Sequence, residues 1–122
     1  MLGALIKPLL IFAVTMSPAS AQERHTVYDK DGSAIGSIEN SGNRWIRRDR
    51  GGNRLNTAEK PTFGRGAIRN DQGDRIGTVE QETSGRRLIR DRKGNVEYRI
   101  DPPSYGRSVI RDQSGKKVGE IR

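Results

Sequence analysis

From Arg24 to the end of the chain, apolar residues fall in short strings with no helical stripe, and each string is cut by the same punctuation. Asp29-Lys-Asp-Gly32, Asp49-Arg-Gly-Gly52, Asn70-Asp-Gln-Gly73, Asp91-Arg-Lys-Gly94 and Asp112-Gln-Ser-Gly115 share one pattern, with their final glycines 20, 21, 21 and 21 residues apart. A period this regular is the mark of a repeated supersecondary unit. Asp or Asn opening a type I turn bonds its own backbone ahead, and a Gly three residues later accepts positive φ. Each tetrad therefore predicts the tip of a β-hairpin with a glycine bulge.

Counting outward from the tip pairs the residue five before the Gly with the one three after. That sets Val27 against Ile35, Ile68 against Ile76 and Ile110 against Val118, aliphatic pairs that suit a buried face. The second and fourth copies offer less regular pairs, Arg47 with Leu55 and Ile89 with Glu97. Farther out, the apolar residue lies six after the Gly, at Ile38, Val79, Ile100 and Ile121, which breaks strict alternation. A one-residue bulge restores it, and Gly36, Gly77 and Gly119, with Asn56 in the second copy, suit one; Tyr98 in the fourth does not. With that bulge Arg24 faces Glu39, Arg44 faces Glu59, Arg65 faces Glu80 and Arg86 faces Asp101, whereas Arg107 meets Arg122.

The connections Asn40-Ser41-Gly42, Asn56 to Gly64, Gln81 to Gly85 and Asp101 to Gly106 carry turn residues and are too short for crossover helices. The expectation is an all-β domain, an antiparallel meander of about ten strands from five hairpins of about 21 residues. It is either a curled sheet or a barrel.

Val27-Tyr28-Asp29-Lys30-Asp31-Gly32 resembles the tyrosine-aspartate (YD) repeat of Rhs-type bacterial proteins, whose hairpins carry Tyr-Asp-x-x-Gly at a similar period. The resemblance is limited to the hairpin tip. In the other copies Arg48, Arg69, Arg90 and Arg111 stand where Tyr would be. It implies an array of hairpins and no particular activity.

Met1 to Ala21 reads differently: one cation at Lys7, an apolar run from Leu9 to Met16 and the small-residue ending Ala19-Ser20-Ala21. That is the composition of a secretory signal. The run is shorter than the roughly 20 residues of a membrane span. Cleavage after Ala21 would leave 22–122 as a single hairpin-repeat domain with no transmembrane segment, periplasmic or secreted from a bacterium. The chain has no Cys, so disulfides play no part.

Charge changes the picture most. The whole chain is +8, and 17 of its 23 cations are Arg. The residues four before and two after each tip Gly face each other on the polar side: Arg48 with Arg54, Arg69 with Arg75, Arg90 with Val96, and Arg111 with Lys117. Like charges opposite one another destabilise a sheet unless an anion shares the site. These seven cations are the candidate anion-binding residues.

Machinery for catalysis is not evident. His25 is the one His, and the carboxylates recur with the repeat, at tips and opposite Arg, as structural partners do. Asp29-x-Asp31-Gly32 opens like a calcium loop but lacks its later ligands, so no metal or other cofactor is expected. Trp45, the single Trp, lies nominally on the aliphatic face, where core packing or a stacking platform are the alternatives.

The sequence thus predicts a non-catalytic binding module for an anionic envelope polymer, such as acidic polysaccharide or lipopolysaccharide; nucleic acid is the less expected partner. The alternative is a structural or protein-interaction repeat using open sheet edges for β-augmentation. An envelope hydrolase would require folding to gather scattered carboxylates.

Overall fold

The computed structural model describes residues 24–61 and 64–122, so the signal-like segment 1–21 lies outside the described residues. Ten antiparallel strands follow in chain order: β1 (Arg24–Asp29), β2 (Ala34–Ser41), β3 (Arg44–Asp49), β4 (Arg54–Glu59), β5 (Arg65–Asn70), β6 (Arg75–Gln81), β7 (Arg87–Asp91), β8 (Val96–Ile100), β9 (Ser108–Asp112) and β10 (Lys117–Ile121). Each pairs with its neighbours in the chain, and β1 pairs with β10 to close the meander into a barrel. The five tetrads form one rim and the longer connections the other.

The tips follow from their residues. Asp29 Oδ1 accepts from the backbone N–H groups of Asp31 and Ser33, both at 2.9 Å, and the Asp29 N–H donates to the Ser33 carbonyl at 2.9 Å. Asn70, Asp91 and Asp112 repeat this geometry. All five tip glycines have φ between 87° and 92°, the region that L-residues with side chains avoid.

The bulge is present in all five hairpins but sits nearer the tip than the sequence suggests. Tyr28 pairs with Ala34 and Val27 with Gly36, leaving Ile35 as the extra residue. Leu55, Ile76, Glu97 and Val118 are skipped in the same way. The expected pairs Val27–Ile35, Ile68–Ile76 and Ile110–Val118 therefore do not form; the partners are Gly36, Gly77 and Gly119. Interior space supplies a reason: in a narrow barrel a large residue on one strand fits best beside a small one on the next. Beyond the bulge the expected register holds, with Arg24 opposite Glu39, Arg44 opposite Glu59 and Arg65 opposite Glu80.

The core is a column of aliphatic residues, Val27, Ile38, Ala58, Ile68, Val79, Ile89, Ile100, Ile110 and Ile121, with Tyr98 filling the fourth hairpin where three others have Gly. Ile35, Ile76 and Val118 pack against it from the tip side. Trp45 joins this core at 3% exposure, so of its two alternatives core packing is the one observed. Arg47 breaks the pattern: it occupies the position held by Val27, Ile68, Ile89 and Ile110 in the other hairpins and is fully buried. A Cβ on Gly36 would collide with the Arg47 Nη1 and the Arg48 carbonyl, so a glycine there makes room for the guanidinium.

Closure also removes the open sheet edge. Each of the ten strands is paired on both sides, so β-augmentation along an edge has no template. No helix among the described residues is long and apolar enough to cross a membrane.

Candidate anion-binding face

The outward positions of the strands are polar, and charge is organised there in rings. The cations four before and two after the tip glycines face each other as the register requires: Arg48 with Arg54, Arg69 with Arg75, Arg90 with Val96, and Arg111 with Lys117. All seven candidate residues thus lie on one belt near the tip rim. The repulsion expected between them is relieved from within the protein.

Each inner arginine is held twice. Arg90 Nε donates to Glu80 at 3.0 Å and its Nη1 to the Gly94 carbonyl at 2.9 Å. Arg48 does the same with Glu39 (3.1 Å) and the Gly52 carbonyl (3.1 Å), and Arg111 with Asp101 (3.0 Å) and the Gly115 carbonyl (3.2 Å). Arg69 donates to the Gly73 carbonyl at 3.1 Å and lies 3.5 Å from Glu59. The arginine thereby ties its own turn to the acid of the preceding hairpin.

Most of those acids are shared with a second arginine. Glu39 lies 3.6 Å from Arg24, Glu80 3.4 Å from Arg65 and Asp101 3.7 Å from Arg86. Arg44 stands opposite Glu59 in register, whereas the Glu59 carboxylate meets Arg69. A guanidinium–carboxylate–guanidinium triad carries one net positive charge, so the belt stays basic while locally satisfied. Hydrogen bonds from Arg90 and Arg65 hold the Glu80 carboxyl below its ordinary range. The tip carboxyls of Asp49, Asp91 and Asp112 are held low in the same way, Asp49 and Asp91 first by the Asn53 and Asn95 backbone, Asp112 first by the Ser114 side chain.

At the seam between β1 and β10 the scheme changes. Tyr28 occupies the inner-arginine position, and Arg122 occupies the acid position of the last hairpin. The Arg122 guanidinium lies 4.3 Å from the centroid of the Tyr28 ring, so a cation–π contact closes the ring where an ion pair would otherwise stand. Thr26 and Arg122 exchange two backbone hydrogen bonds of 2.9 Å alongside it. Glu120 takes up the local charge, 2.7 Å from Lys117 and 3.0 Å from Arg122.

Availability to a partner therefore differs along the belt. Arg48, Arg69, Arg90 and Arg111 are engaged with carboxylates, and Lys117 with Glu120. Arg54 and Arg75 are exposed and form no ion pair among the described residues. Lys30, Arg50, Arg92, Lys93 and Lys116 add exposed cations on the tips. These tip residues escape a search for facing pairs, because they vary from copy to copy.

Comparison with protein-family models, curated proteins and solved structures returned no match.

Proposed function

We propose that the chain is a non-catalytic binding module for anionic polymers of a bacterial envelope, working outside the cytoplasm, with the tip rim and outer belt as its contact face. The observation that carries this reading is the belt of cations on the outer face, where Glu39, Glu59, Glu80 and Asp101 are already paired with arginine and Arg54 and Arg75 stand exposed. A polyanion arriving at Arg54 and Arg75 meets exposed guanidiniums without having to displace an intramolecular carboxylate. Arg suits such a partner because its fork meets phosphate, sulfate and carboxylate oxygens bidentately. The engaged inner arginines add a field that attracts without being consumed. An exported location rests on the composition of residues 1–21.

The alternative, a purely structural repeat, predicts no salt-sensitive affinity. Binding of lipopolysaccharide and of heparin should be measured over a salt series for the wild type and for Arg54→Gln/Arg75→Gln/Arg92→Gln/Lys93→Gln. The expected result is an affinity that falls steeply with salt and a flatter slope in the variant, since each lost contact releases fewer counterions. Absence of binding at low salt would leave the structural reading in its place.

A further inference from the structure

The barrel end opposite the tips carries a second group of cations, inside the wall and separate from the outer belt. Lys60 follows β4, and its backbone N–H is fixed by the Asn43 carbonyl at 3.0 Å. A Cβ on Gly66 would collide with the Glu59 carbonyl, so a glycine in β5 lets the end of β4 lie close against the rim. Arg87 enters from β7 and is 9% exposed. Both cations reach the same aromatic residue: the Arg87 guanidinium carbon lies 5.2 Å from the Trp45 ring centroid and Lys60 Nζ 5.9 Å.

Their polar partners are neutral amides. Lys60 Nζ donates to Asn40 Oδ1 at 2.5 Å, and Arg87 Nη2 to Gln81 Oε1 at 3.3 Å. Arg87 Nε is buried without a hydrogen-bond partner. Among the described residues no carboxylate forms an ion pair with either cation, in contrast to the outer belt, where the fold places acids beside Arg24, Arg48, Arg65, Arg69, Arg86, Arg90 and Arg111. Two cations gathered on one indole without a counter-charge repel each other, and burial lowers the pKa of Arg87. Arg47 differs, being wholly enclosed and hydrogen-bonded to the Arg48 carbonyl, whereas Lys60 is only half-buried.

We infer that this end of the barrel is a binding site for a phosphate-bearing ligand, its anionic oxygens held by Lys60 and Arg87 beside Trp45. The anion supplies the negative charge that the neutral amides of Asn40 and Gln81 cannot, and an acceptor for the Arg87 Nε that has none. The site stands independently of the outer-face reading, since it uses none of those cations.

Trp45 is the single Trp of the chain, so its fluorescence reports the site directly. The folded protein is titrated at constant ionic strength with sodium phosphate and, separately, with glucose 1-phosphate, with sodium chloride as the control. The expected result is a saturable change in Trp45 emission with at least one of them, weakened about tenfold or more by Lys60→Gln and by Arg87→Gln, and unaltered by Arg54→Gln/Arg75→Gln. The tighter ligand shows whether free phosphate or a phosphate ester is the natural source. Should Arg87→Gln not fold, Lys60→Gln at the rim decides alone. No saturable response to either ligand, or a response that both variants retain, would overturn the inference.

Discussion

Replacing Arg47 by Ile should make this protein more stable, although it deletes a large, fully buried side chain. The guanidinium sits in the aliphatic column at 0% exposure, with Nη1 donating to the Arg48 carbonyl and with Nε and Nη2 buried without partners. Burial lowers its pKa from 12.5 to about 10. At about 1.4 kcal/mol per pKa unit, keeping it charged in the fold costs roughly 3 kcal/mol at neutral pH. The Ile variant loses one hydrogen bond, worth about 1 kcal/mol, and leaves some space beside Gly36. The balance is a gain of about 1–2 kcal/mol, in line with buried ionic groups that give way to apolar ones. For a domain of about 100 residues that raises Tm by roughly 4 °C or more. Thermal and urea denaturation at pH 7 measure it, with Arg47→Met controlling for volume. If both variants lose more than about 1 kcal/mol, the guanidinium has a stabilising partner that outweighs the cost of its burial.

Three further outcomes follow from the geometry. Gly94→Val should lower stability by about 1 kcal/mol or more: its φ is 92° and a Cβ there meets nothing within 4 Å, so backbone strain alone is tested in the melt. Tyr28→Leu should weaken closure by about 0.5–1 kcal/mol, and faster hydrogen exchange at Thr26 and Arg122 would report the opened seam. Acid should destabilise the fold. Asp49, Asp91 and Asp112 titrate below their ordinary 3.8 in the folded chain, and Glu80 and Glu120 below 4.5. Their stabilisation is present above those values and is lost as pH falls through 4.5 and 3.8 toward the folded pKa values, because the unfolded chain binds protons first. A melting temperature that is flat from pH 6 down to pH 2 would contradict this.

Local chemistry was legible and long-range geometry was not. Asp-x-x-Gly carries its own turn, so tips, strand number and the outer Arg–acid register could be counted from the chain. The bulge lies elsewhere than the chain suggests because Ile35, Ile76 and Val118 look like partners for Val27, Ile68 and Ile110, and nothing local says that Gly36, Gly77 and Gly119 take that place. The double engagement of Arg48, Arg69, Arg90 and Arg111 joins neighbouring hairpins, so it depends on how the connections lay one hairpin beside the next. That engagement also changes what those residues do: neutralising the row would remove ties between turns and acids, and stability should fall. Closure left one sign in the sequence, the exchange of Arg for Tyr28 and of an acid for Arg122 at the two ends of the repeat.

If the tip rim and outer belt receive an anionic polymer, titrating the ¹⁵N-labelled protein with heparin should move backbone amide resonances at that end of the barrel. At low salt the shifts should concentrate around Arg54, Arg75, Arg92, Lys93 and Lys116, and they should revert as salt is raised. Shifts scattered evenly over both ends of the barrel, or none at low salt, would contradict it.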